Sequence, residues 1–221
     1  MNSSKKSGEQ SMTDKVHRYR KLAKSLAQLG DENAKAITTD RYKLMYHYFI
    51  RCSGLTSAVI LLVEAGHLAA AYALEKSLVE ALLNGLYIGY VASEREIKEN
   101  IALALKGRCT GHSAMKKRAR MIDENFSRRR VFMPGMFEEM VKRTSERLNE
   151  FGHGGLLSTV LEVKSLPPEV GNKVLARSVF VLIIFMGNVF MLENLDLTPL
   201  EALQKDFDGT GDELTEVNQY L

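Results

Sequence analysis

Ser178 to Leu192 reads SVFVLIIFMGNVFML, and this apolar run constrains the fold more than any other stretch of the chain. A helix needs about 20 apolar residues to cross a bilayer; this run has about 15, with Asn188 inside it and Arg177 at its edge. A helix this apolar that does not span a membrane has to be covered by protein on all sides. The run therefore predicts a fully buried core helix, from about Glu169 to Glu193, and it demands other helices to bury it.

The rest of the sequence supplies them. Between Asp14 and Leu29, Val16, Leu22, Leu26 and Leu29 recur at helical spacing, and Gly30 marks a stop. Tyr42, Met45, Phe49, Leu55 and Val59 lie on a broad apolar face of a helix over about Thr39 to Glu64. After a turn at Ala65-Gly66, a segment dense in alanine and leucine, about His67 to Val91, reads as a central helix. Ser93 followed by Glu96 has capping-box spacing, so a helix starts there, ending near Gly107. Further helices are predicted over about Ser113 to Ser127 and from Pro134 to about Glu150, with a short one reaching Val163. Pro167-Pro168 separates these from the core helix, and Thr198-Pro199 opens a last amphipathic turn or two, with proline suited to a first helical position. No segment alternates with period two, and no internal repeat occurs. The expected class is all-α, a bundle of seven to nine helices.

At 221 residues the chain reads as one domain. A chain of this size buries roughly 70% of its unfolded surface without covalent staples. Residues 1–12, polar and rich in serine and lysine, are expected to be a disordered tail. Residues 13–208 are the helical domain, and residues 209–221 an acidic, flexible tail. Cys52 and Cys109 have no paired spacing, which argues against a disulfide framework or a zinc finger and fits a reducing compartment. The N-terminal lysines are followed by no apolar core, so no secretory signal is expected. The expected location is cytoplasmic, with no membrane partner.

Net charge is +3, but unevenly spread. Within residues 112–130, Lys116, Lys117, Arg118, Arg120, Arg128, Arg129 and Arg130 stand against Asp123 and Glu124 alone. From Glu193 onward there are eight acidic residues and one lysine, Lys205. Either the basic helix is a solvated face neutralised by the acidic tail, or it is a track for a polyanion such as RNA.

Three polar constellations carry candidate chemistry. Lys76, Glu80 and Asn84 recur every four residues on the central helix and so share one stripe, either an exposed face or a buried, paired site. Arg147 precedes His153 by six positions, joining a permanent cation that can grip a phosphate to a group that trades protons near neutral pH. On a straight helix these two sit roughly 120° apart, about 9 Å along the axis. Gly152 lets the backbone bend or end there, which presents His153 at a helix junction. The bland alternative is a helix-end histidine bonded to a carbonyl. Finally, Glu64-x-x-His67 and Glu150-x-x-His153 have the spacing by which helical bundles hold two iron or manganese ions, with Glu80 and Glu124 as further ligands. Each of these motifs has a glycine just before its histidine, where a ligand helix should be continuous. No phosphate-binding glycine loop occurs, and no nucleophile motif. No cofactor or metal is expected on the leading reading.

The segment Ala69 to Tyr90, AAAYALEKSLVEALLNGLYIGY, with Leu148-Asn-Glu-Phe-Gly-His-Gly-Gly155, resembles a group of uncharacterised bacterial helical proteins. In that group a Leu-Arg-Ser-Leu-x-Glu-Ala helix precedes a His-Gly-Gly signature. The group in turn is similar to the HEPN superfamily, helical bundles whose active members carry Arg-x4-6-His. The likeness spans roughly residues 40–190. It implies a metal-independent endoribonuclease of toxin–antitoxin or antiviral-defence type, acting as a homodimer and paired with an antitoxin or other protein. By motif, Arg147 would bind the scissile phosphate and His153 would act as acid or base during attack by the RNA 2′-hydroxyl. Lys76, Glu80, Asn84, Asn149 and Glu150 would be supporting polar residues. The chain departs from the pattern at Leu148, where a polar residue is usual, and at Lys76, where arginine is favoured. Relatives that only bind nucleotides or partners imply the alternative, a non-catalytic helical interaction or nucleotide-binding module.

Overall fold

The computed structural model describes residues 3–37, 39–105, 112–129, 135–152 and 168–208. These form eight α-helices and one 3-10 turn, with no strand among the described residues. The helices are α1 (Ser3–Asn33), α2 (Asp40–Glu64), α3 (Leu68–Tyr90), α4 (Glu94–Leu105), α5 (His112–Arg129), α6 (Met136–Gly152), α7 (Pro168–Glu193) and α8 (Thr198–Asp208). The protein is an all-α bundle. The short helix predicted to follow His153 lies outside the described residues.

The apolar run forms the middle of α7, which packs against α1, α2 and α3. Val174, Leu175, Val179, Leu182, Phe185 and Met186 have no exposed surface. Both α2 and α7 are long and apolar enough to cross a membrane by length and composition, but 78% of the apolar window of α7 is buried inside the bundle, against 39% for α2. Around this axis, α2 and α3 form a hairpin that turns at Gly66, whose φ of 79° is a left-handed conformation that glycine adopts freely. A second hairpin, α5–α6, lies on α3, and α8 closes against α1 and α7.

One expectation fails for a physical reason. The predicted stop at Gly30 is absent, because α1 runs on to Asn33. A Cβ at Gly30 would stand 2.6 Å from the Phe49 ring and 2.9 Å from Met186, so this glycine serves close helix approach. α1 begins at Ser3 and so takes in the polar residues 3–12. Each residue added to an existing helix gains a hydrogen bond without a new nucleation cost.

Side chains close the helix ends. Ser93 and Glu96 form the predicted capping box: the Ser93 amide and hydroxyl each donate to Glu96 Oε2 at 2.8 Å, and the Glu96 amide donates to Ser93 Oγ at 3.3 Å. Arg41 of α2 donates to the Ile88 and Ala92 carbonyls at 2.7 and 2.6 Å, capping the end of α3. Asp123 of α5 accepts from the amides of Phe137 and Glu138 at 3.1 and 2.9 Å, and so caps α6 from outside that helix. This ties the start of α6 to α5.

Candidate functional site

Two charges sit in the interior where α3 meets α7. Arg177 Nε donates to Glu75 Oε1 at 2.8 Å, with the two side chains 24% and 11% exposed. Both stand on apolar stripes: Glu75 among Ala71, Leu78, Val79 and Leu82, and Arg177 among Val174 and Val181. The Arg177 guanidinium carbon lies 5.7 Å from the centre of the Tyr72 ring. Burial alone would lower the pKa of Arg177, but the charge and hydrogen bond of Glu75, aided by Tyr72, hold it above the ordinary arginine value. The pairing is one-legged: Nη2 is shielded from solvent and has no hydrogen-bond partner. A buried donor left unmatched is costly.

Beside this pair a cavity of about 80 Å³ opens between α3, α6 and α7. Its walls are mainly apolar, with Val79, Met140 and Val181 among them, and its polar groups are Glu75, Arg177, Arg143, Thr144 and Ser178. The two hydroxyls already donate to carbonyls, Thr144 to Met140 at 2.7 Å and Ser178 to Val174 at 2.9 Å. Arg143 Nε donates to Glu139 Oε1 at 2.6 Å, and that bond holds the Glu139 carboxyl below the usual range. The residues of α6 on this wall, Met136, Met140, Arg143 and Thr144, form one helical stripe. Arg147 is the next position on the same stripe, one turn beyond Arg143.

The described residues bring together little of the site predicted from spacing. The backbone of α6 carries Arg147, Asn149 and Glu150, but their side chains and the whole of His153 lie outside the described residues. Lys76 and Glu80 are half-buried on α3, and no ion pair joins them. Asn84, the third member of that stripe, accepts a hydrogen bond from Arg118 of α5. The buried charge on α3 is Glu75, one position from the predicted stripe and so about 100° around the helix.

The basic helix is not a run of free cations. Arg118 turns inward, over the Tyr87 ring at 5.0 Å as well as against Asn84. Arg120 Nε bonds Glu138 Oε1 at 2.9 Å, and Lys117 lies close enough to help lower the pKa of Glu96. Lys116, Lys117, Arg120 and Arg128 remain exposed; the Arg129 side chain and Arg130 lie outside the described residues. The acidic α8 meets α1, where Arg18 donates to the Asp206 carbonyl at 2.7 Å. Among the described residues, the charges that answer the basic helix come from α4 and α6.

For the dimetal alternative, Glu64 ends α2 while His67 stands at the cap of α3, across the Gly66 turn. The Glu64 carboxylate accepts from Arg20 at 2.5 Å. Among the described residues no cluster of three or more histidine, cysteine or acidic side chains is placed to hold a metal. Glu150 and His153 are outside that statement.

Spacing also passes over Asp123, only 6% exposed. Burial pushes its carboxyl above the usual range, against the two α6 amides that pull it down. An acidic residue at an apolar position of the helix is the available signal, as it is for Glu75.

Fold and site together define a helical-bundle protein with a polar-ended cleft between α3, α6 and α7. The chain belongs to a family of unknown function, DUF6988, which matches residues 52–210 and so takes in every helix that lines the cleft. No curated protein matches the chain, and no solved structure does.

Proposed function

We propose that this protein is a metal-independent endoribonuclease of HEPN type, working in the cytoplasm as a homodimer in a toxin–antitoxin or antiviral-defence setting. Arg147 holds the scissile phosphate, and His153 moves the proton during attack by the 2′-hydroxyl. The observation that carries this reading is the register of α6. The stripe through Met140 and Arg143 walls a cleft that already contains a second guanidinium, Arg177, and its next position is Arg147. A helix with arginines at successive turns of one stripe, Arg143 and Arg147, suits a polyanionic backbone.

General acid–base catalysis by one histidine supplies about 10²–10⁴-fold. His153→Ala is therefore expected to reduce cleavage of a single-stranded RNA by that factor while leaving the circular dichroism spectrum unchanged, with wild-type activity insensitive to EDTA. Wild-type protein that leaves RNA intact, or a His153→Ala variant that cleaves normally, ends the nuclease reading.

One observation favours the second reading, a non-catalytic binding module. Arg118 and Arg120 are engaged within the chain, which shortens the basic surface available to a long nucleic acid. In that case a protein partner or a small ligand takes the place of RNA.

A further inference from the structure

The cavity between α3, α6 and α7 has a chemistry of its own, independent of the nuclease reading. The cavity holds about 80 Å³, against ~150 Å³ for an enclosed apolar core cavity that admits benzene, and it is partly open to solvent, so it suits the end of a small molecule. Its apolar walls ask for a hydrocarbon body. Its polar end has one unmatched strong donor, Arg177 Nη2. The hydroxyls of Thr144 and Ser178 have spent their protons on backbone carbonyls. Glu75 neutralises half of the arginine fork and would repel a dianion, while Arg143 brings a second guanidinium to the wall.

We infer that this cavity is a binding site for a short-chain carboxylate, a monoanion with a small alkyl group. The carboxylate takes the Nη2 hydrogen that Glu75 leaves unused, and the alkyl group packs among Val79, Met140 and Val181. The outer end of the Arg177 side chain has only to tilt toward the cavity it already lines. A phosphate is disfavoured because a dianion would face Glu75 with too few donors.

The test uses the full chain without RNA. Propionate, 1-propanol and inorganic phosphate are titrated by calorimetry at fixed ionic strength. Propionate is expected to saturate and to bind about tenfold more tightly than 1-propanol, the size of one charge-assisted hydrogen bond, with phosphate failing to compete. The double variant Glu75→Leu/Arg177→Met removes both charges together, leaving none stranded in the core, and is expected to lose that preference. Val181→Phe fills the cavity and is expected to abolish binding of both organic ligands. Propionate that does not saturate, that binds no better than 1-propanol, or that is displaced by phosphate overturns the assignment. So does undiminished propionate binding by either variant. If the double variant does not fold, Val181→Phe decides alone.

Discussion

Glu96 engages three groups at once. Its Oε2 accepts from the Ser93 amide and hydroxyl, and its Oε1 accepts from the Tyr87 hydroxyl at 2.8 Å. The Ser93 amide contributes most to holding the carboxyl down at about 2, followed by Tyr87. Burial first, and then the Glu96 bond, push the Tyr87 phenol up to about 12. A carboxyl lowered on folding stabilises the fold above its ordinary value of 4.5, and that contribution fades as pH falls toward 2, where the folded state must also take the proton. Urea midpoints at pH 6 and pH 3 should therefore differ less in Glu96→Gln than in wild type. Ser93→Ala should cost about 1 kcal/mol at neutral pH, read from the same curves. The Ser93–Glu96 pair is legible in sequence because both partners lie within one helical turn. The Tyr87 bond is not, because it depends on how α4 folds back across the end of α3.

Where α3 packs on α7, Gly85 makes room for Phe185. A Cβ there would stand 2.0 Å from the Phe185 ring, which is itself held edge-on by Phe49 at 6.1 Å. Gly85→Ala should gain about 1 kcal/mol in helix propensity but lose more to overpacking, for a net destabilisation of about 1–2 kcal/mol. A thermal midpoint at or above that of wild type would show that Phe185 yields freely. The extents of α2, α3 and α7 are readable from apolar periodicity to within a residue or two, because each carries several turns of unbroken pattern. Gly30 and Gly85 show what periodicity does not convey: whether a glycine ends a helix or admits a neighbour depends on residues far away in sequence.

For the molecule as a whole, the Glu75–Arg177 pair decides how α3 and α7 register. Either Glu75→Leu or Arg177→Met alone strands a buried charge and should cost about 3–5 kcal/mol in urea unfolding, whereas the double variant should fall within about 1 kcal/mol of wild type. Equal losses in all three would mean that the charges matter only by their volume. Spacing points instead to Lys76, Glu80 and Asn84, because α3 is apolar on nearly every face and a one-residue shift in the buried stripe leaves the pattern almost unchanged. Arg177 reads in sequence only as the edge of a run whose apolar residues dominate. The order of synthesis adds a consequence. The axis on which α1, α2 and α3 rest is α7, and it is translated after all three. Until Glu193 has left the ribosome, the faces of α1, α2 and α3 that rest on α7 stay uncovered, so the nascent chain passes through an interval as a sticky, half-built shell, a natural client for chaperones.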